Sequence, residues 1–124
     1  DIHFTSASTE LSFWARQDYR PQQSRVSVVE QNINAALAGW PHNPDYLDAK
    51  ARFLTWQAYW EEQGTLARTL SQQALELKLG ALERRPARRQ SWVELAGDKA
   101  RLGQNDASWN LALEKINTLK NVNH

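Results

Sequence analysis

The stretch of residues 43–64 most constrains how this 124-residue chain can fold, because it reads as a helix that is apolar on two sides. Asn43 suits the N-cap, Pro44 suits the first helical turn, and Gly64 is expected to end the helix. One apolar stripe contains Leu47, Ala51, Leu54 and Ala58, and a second contains Phe53, Trp56 and Trp60. Such a helix needs neighbours on both sides. We therefore predict that it is the central helix of an all-α domain.

Five further segments repeat apolar residues at helical spacing, and prolines or glycines separate them. The expected helices cover about 5–19, 22–38, 66–84, 87–103 and 106–119. Because the connectors are short, consecutive helices are expected to pair as antiparallel hairpins. The sequence thus predicts a single domain, 1–124, with about six helices in hairpins at about 5–38, 44–84 and 87–119.

A weak internal repeat supports this grouping. Three sets of residues have the same spacing: Val29, Ile33 and Ala36; then Ala74, Lys78 and Ala81; then Ser108, Ala112 and Lys115. The second and third sets lie 34 residues apart, whereas the first and second lie 45 apart. A period of this length is typical of stacked helical hairpins. We expect the long central helix and the turn at Gly64 to absorb the additional residues of the first interval.

One part of the chain resembles a tetratricopeptide repeat. The resemblance rests on Trp92, Leu95 and Ala96, followed by Gly103, and then on Ser108 and Ala112. Lys99 departs from the family pattern, which usually has tyrosine there, and Lys78 and Lys115 occupy places that are usually apolar or small. The resemblance implies a short TPR-like solenoid whose concave groove holds a protein or peptide partner.

A narrower resemblance involves the segments HNPDYL at 42–47 and ALERRP at 81–86, with SWVELA at 91–96. Together they are similar to VpsP-type accessory proteins of bacterial exopolysaccharide-biosynthesis clusters. This resemblance implies an accessory or scaffolding role in polysaccharide biosynthesis or export. It also implies a periplasmic location, with the inner membrane reached only through an N-terminal anchor that has been removed. The start at Asp1 and the lack of methionine agree with such processing.

Composition excludes several classes of function. Fifteen basic and fourteen acidic residues give a net charge of +1, so no nucleic-acid partner is expected. The chain contains no cysteine, its three histidines are scattered, and it has no glycine-rich phosphate loop. We therefore predict no metal site, no cofactor and no catalytic residue. The carboxylate pairs Glu61–Glu62 and Glu94–Asp98 are interpreted as solvated helix faces, although a small glycoside-cleaving enzyme stays an alternative.

The densest charge feature is a group of arginines around Pro86. Arg84 and Arg85 come before the proline, and Arg88 and Arg89 follow it. The latter two are expected at a helix start, where each positive charge opposes the helix dipole by about 0.3–1 kcal/mol. This unfavourable placement suggests an acidic partner. A solvated turn, with Arg84 and Arg85 complementing the preceding helix end, is the structural alternative.

Aromatic residues provide the other candidate contacts. The chain contains six tryptophans, most of which are expected in the core, but Trp60 and Tyr59 lie near the end of the central helix and could line a groove. The predicted partner-binding residues are Arg85, Arg88, Arg89, Trp60 and Tyr59. The leading hypothesis is a non-enzymatic adaptor or scaffold. Direct binding of an anionic or sugar polymer through the arginine turn and exposed tryptophans is the alternative, and self-association is a further one.

Overall fold

The computed structural model describes residues 1–17 and 20–119, which form six α-helices and no strand. The helices are α1 (Ile2–Gln17), α2 (Gln23–Gly39), α3 (Pro44–Trp60), α4 (Gly64–Arg84), α5 (Arg89–Leu102) and α6 (Ala107–Thr118). The all-α prediction is confirmed. The expected extension of the first helix to Tyr19 lies outside the described residues.

The start of α3 follows from its first residues. The Asn43 side-chain oxygen accepts hydrogen bonds from the backbone N–H groups of Asp45 and Tyr46, at 2.9 and 3.3 Å. Pro44 occupies the first helical position, where its missing N–H has no intrahelical partner to lose. The predicted cap is therefore present.

The end of α3 differs from the prediction. The helix ends at Trp60, and Gly64 begins α4 instead of ending α3. The Glu61 carboxylate accepts the backbone N–H of Gln63 at 3.1 Å, and this local bond holds the chain in a turn between the two helices. The expectation for Gly64 was wrong because a side-chain bond, and no left-handed glycine, forms this turn.

The predicted glycine stop does occur after α5. Gly103 has a φ of 69°, in the left-handed region that favours glycine. Asp106 then caps α6 by accepting the backbone N–H of Trp109 at 3.1 Å. The last hairpin thus combines a glycine C-terminal signal with a carboxylate N-cap.

Packing between the helices proceeds stepwise along the chain. Each helix packs on its sequence neighbour, and α1 also contacts α3. The closest pairing joins α3 to α4, which form the middle hairpin. This arrangement is that of three helical hairpins stacked as a short solenoid.

The apolar interior has two parts. One cluster joins α1, α2 and α3 with Ala74 of α4. The other joins Leu75 and Leu82 of α4 with α5 and with Ala112 of α6. Helix α4 therefore contributes to both clusters.

Gly80 lies inside α4, where glycine costs about 1 kcal/mol relative to alanine. A methyl group at this position would lie 3.8 Å from Leu47 Cδ1, an ordinary van der Waals distance. The α3–α4 crossing therefore does not require glycine here.

A candidate ligand groove beside a buried charge network

Lys78 lies at the centre of a set of charged side chains between α3, α4 and α5. It occupies the repeat position of Ile33 and is equally buried, with 1% of its surface exposed. Its Nζ donates to Asp48 Oδ1 at 2.8 Å and to Glu94 Oε1 at 2.6 Å. A buried ammonium is tolerated only when it is paired and hydrogen-bonded, so two carboxylates explain why lysine replaces an apolar residue.

Asp48 connects Lys78 to the turn between α4 and α5. Its Oδ2 accepts hydrogen bonds from Ser91 Oγ at 2.9 Å, Arg85 at 2.9 Å and Arg88 at 3.5 Å. Burial by itself would raise the pKa of Asp48. The Lys78 charge and hydrogen bond, the Ser91 hydroxyl and the Arg88 charge outweigh burial and hold this pKa below its ordinary value.

The three turn arginines predicted to bind a partner all have contacts within the chain. Arg85 pairs with Asp45 as well as Asp48, and Arg88 donates to Ser91 Oγ at 2.9 Å. Arg89 Nε donates to the carbonyl oxygen of Ile116 in α6 at 2.9 Å. These contacts place intramolecular acceptors beside the positive charges at the start of α5.

Asp98 and Glu94 lie on the inner side of α5 and do not form a solvated face. Asp98 is 2% exposed; it accepts the Thr55 hydroxyl at 3.1 Å and pairs with Arg101. Burial raises the pKa of Asp98, and the nearby Glu94 charge adds to this, although Arg101, Thr55 and Lys78 oppose it. The prediction for this pair was wrong because α3 and α4 cover this face of α5 and supply further partners, Thr55 to Asp98 and Lys78 to Glu94.

Together, these side chains and their ion-pair partners make up a charge network. Its members are the carboxylates Asp45, Asp48, Glu94 and Asp98, and the cations Arg52, Lys78, Arg85, Arg88 and Arg101.

A groove adjoins the charge network, between α3 and α5. It consists of two pockets, of about 260 and 310 Å³, which share Thr55, Trp56 and Arg101. The first pocket also reaches Ala15 of α1, and Lys78 lies at its base. The groove is thus lined chiefly by the first helix of each hairpin, as expected for the concave side of a helical solenoid.

The two predicted aromatic residues have different environments. Tyr59 is 67% exposed, lines the groove and contacts Trp56 edge-on, with the ring centroids 5.8 Å apart. Trp60 instead packs against Trp14 and Trp56, at centroid distances of 5.2 and 5.7 Å. The structure therefore brings Tyr59 to the groove and Trp60 to the edge of the apolar core.

Arg52 lies in the groove wall, one helical turn before Trp56. Its Nε is 3.6 Å from Glu94 Oε2, and that buried nitrogen has no hydrogen-bond partner among the described residues. Arg52 is not among the binding residues predicted from the sequence. The spacing of Arg52, Trp56 and Tyr59 places them on one helical face, and this pattern could have identified the wall.

The groove is lined by aromatic and charged side chains. Among residues 1–17 and 20–119, no group of three histidine or acidic side chains is placed to hold a metal ion. Glu94 and Asp98, the acidic side chains of the groove, are paired with cations of the same chain.

In the described part of the chain, no helix has both the length and the apolar character needed to cross a bilayer.

Comparison with protein-family models, with curated proteins and with solved structures gave no match. The site is therefore interpreted from its own geometry.

Proposed function

We propose that this chain is a non-enzymatic adaptor that holds an extended or helical segment of a protein partner in the groove between α3 and α5. The observation that carries the proposal is the combination of Tyr59 and Trp56 with Arg52 and Arg101 in one open groove. Aromatic and arginine side chains contribute most to binding energy at protein interfaces. The groove presents both types on helices, which position them without a mobile loop.

The arginine turn has a different part in this proposal from the one that the sequence suggested. Arg85 and Arg88 bond to the buried Asp48, and Arg89 bonds to α6, so their first role is to join the hairpins. Partner contact by their exposed edges stays a prediction. Because these arginines already have acceptors, binding of an anionic or sugar polymer at the turn has less support than a protein partner in the groove.

The cellular setting in this proposal comes from the sequence resemblance alone. We propose a periplasmic scaffold that is accessory to exopolysaccharide biosynthesis or export. The chain contains no cysteine, so the groove depends on no disulfide in any compartment.

Site-specific photocrosslinking tests the proposal. Tyr59 and Trp40 are both strongly exposed, at 67% and 64%, but only Tyr59 lies in the groove. Each is replaced in turn by benzoylphenylalanine, the protein is irradiated in native periplasmic and membrane extract, and crosslinked products are identified by mass spectrometry. We expect a protein adduct from position 59 and none from position 40.

Crosslinking is preferable to reversing the turn arginines. Replacing Arg85 or Arg88 with glutamate would place a second negative charge against the buried Asp48, so a loss of binding would not separate misfolding from lost contact. Equal adducts from positions 59 and 40 would contradict the groove proposal. Carbohydrate without protein at position 59 would favour the polymer alternative.

A further inference from the structure

The charge network that adjoins the groove is not neutral. It contains five cations and four carboxylates, of which Lys78, Asp48 and Asp98 are buried and Asp45 and Arg101 are about half exposed. Partly buried charges are costly when they are unpaired, and arginine stays protonated at any physiological pH. The network therefore has one positive charge more than its own carboxylates balance.

The geometry shows which cation lacks a hydrogen-bonded carboxylate. Lys78, Arg85, Arg88 and Arg101 each donate a hydrogen bond to a carboxylate of the network. Arg52 does not, because its closest approach to an acidic oxygen is 3.6 Å and its Nε has no partner among the described residues. Although its Nε is buried, the Arg52 side chain as a whole is 27% exposed and lines the groove, so a ligand in the groove can contact its exposed part.

We propose that the groove recognises an acidic peptide segment, in which a ligand carboxylate binds Arg52 and an adjacent aromatic or aliphatic side chain packs on Trp56 and Tyr59. This inference rests on the proposed function and names the class of its ligand. The ligand carboxylate would balance the charge network and give Arg52 its hydrogen-bonded partner. An arginine fork binds a carboxylate through parallel hydrogen bonds, which also fixes the direction of the segment.

The position of Arg52 on α3 agrees with such a ligand. Trp56 follows it by four residues and Tyr59 by seven, so the three side chains lie along one face of the helix. Arg101 faces them from α5 and is paired with Asp98. The site therefore offers a cationic end and an aromatic end, separated by about two helical turns.

Two small probes test the inference without knowledge of the natural partner. N-acetyl-tryptophan carries a carboxylate beside an indole ring, and N-acetyl-tryptophanamide is its neutral counterpart. Each is titrated into the protein at neutral pH, and the NMR shift of the Trp56 indole N–H reports binding. We expect the carboxylate probe to bind about tenfold more tightly than the amide, as one charge-assisted hydrogen-bonded pair allows.

Variants assign that preference to Arg52. Arg52→Gln is expected to remove the tenfold preference, and Arg52→Glu is expected to reverse it towards tryptamine, which carries an amine. Arg84→Gln removes an exposed arginine outside the groove and is expected to leave the preference unchanged. Unfolding in urea confirms that each variant is folded.

Equal binding of the two tryptophan probes, no Trp56 shift at millimolar concentration, or an unchanged preference in Arg52→Gln would overturn the inference. The proposed function would survive each of these results if position 59 still crosslinks a protein and position 40 does not. Loss of that crosslinking pattern would remove the adaptor proposal itself.

Discussion

Helix α3 packs against its neighbours through two flanks of different chemistry. Towards α1 the contacts are aromatic: Trp14 is fully buried and lies 6.3 Å from Phe53 and 5.2 Å from Trp60, between ring centroids. Towards α4 and α5 apolar contacts such as that of Ala74 are joined by a set of ion pairs, in which Asp48 and Lys78 are both about 1% exposed. One helix thus combines an apolar interface with a charged one.

The two flanks stabilise the fold in different ways. Apolar contacts contribute in proportion to buried area and require no particular partner. Buried charges contribute little net stability, but each must find its counterpart, so the charged flank fixes the position of α5 relative to α3. Trp56 belongs to the aromatic flank and also lines the groove, so the ligand site lies where the two flanks meet.

The largest effect is expected on the aromatic flank. Trp14→Ala should lower the free energy of unfolding by about 3–5 kcal/mol, because it leaves a cavity and removes three ring contacts. Urea unfolding followed by circular dichroism measures this. Trp40→Ala removes an exposed tryptophan and should change stability by less than about 0.5 kcal/mol. Similar losses for the two variants would contradict the description of this flank.

The charged flank should respond according to which member is removed. Asp48→Asn takes away the carboxylate that Lys78, Arg85 and Ser91 share and should cost about 3 kcal/mol. Lys78→Met should cost less than half as much, because Asp48 keeps its other donors and the charge network becomes balanced. Urea unfolding of both variants decides this. If Lys78→Met lowered the free energy of unfolding more than Asp48→Asn does, the excess positive charge would not be what destabilises the charge network.

The two buried aspartates should respond to pH in opposite senses. The pKa of Asp48 is lowered from 3.8, so its stabilising effect is complete above pH 3.8 and is lost as the pH falls below that value towards its folded-state pKa. The pKa of Asp98 is raised from 3.8, so its charge destabilises the fold at neutral pH, and this cost disappears as the pH falls through its folded-state pKa towards 3.8.

Unfolding as a function of pH tests this difference. Asp98→Asn should be at least as stable as the parent at neutral pH, and any advantage should vanish near pH 3.8. Asp48→Asn should be much less stable at neutral pH, and its deficit should shrink below pH 3.8. Parallel pH profiles for the two variants would refute the assignment of opposite pKa shifts.

The smallest effect concerns the α3–α4 crossing. Gly80→Ala should raise the free energy of unfolding by about 0.5–1 kcal/mol, because the added methyl group has room beside Leu47. Gly103→Ala should instead lower the free energy of unfolding by about 1 kcal/mol, because the φ of Gly103 is 69°, a conformation that strains alanine. Thermal unfolding compares the two. Destabilisation by Gly80→Ala would mean that the added methyl group lies closer to Leu47 than 3.8 Å.

Much of the fold could be predicted because its signals are local. The Asn43 cap, the stop at Gly103 and the two apolar stripes of α3 depend on residues within about one helical turn. The exception at Gly64 is also instructive. There the chain turns without a left-handed glycine, and Glu61 accepts the backbone N–H of Gln63.

The candidate site was predicted only in part. Tyr59 was selected from the sequence and lies in the groove, whereas Arg52 and Arg101 were not selected. Asp98 was predicted to lie on a solvated face because it follows Glu94 by four residues, and this spacing occurs on exposed and on buried helix faces alike. Spacing along one helix does not reveal which helix will cover it.

By itself, the sequence determined that six helices form hairpins, where α3 and α6 begin and which faces are apolar. Only the tertiary structure decided that Lys78 would be buried, that Arg85 and Arg88 would bond to Asp48 and that a groove would open beside Arg52. The reason is sequence distance. Lys78 lies 30 residues from Asp48. Ser91 lies 43 residues from Asp48, and Asp98 lies 43 residues from Thr55. Such pairs form only once the hairpins have stacked.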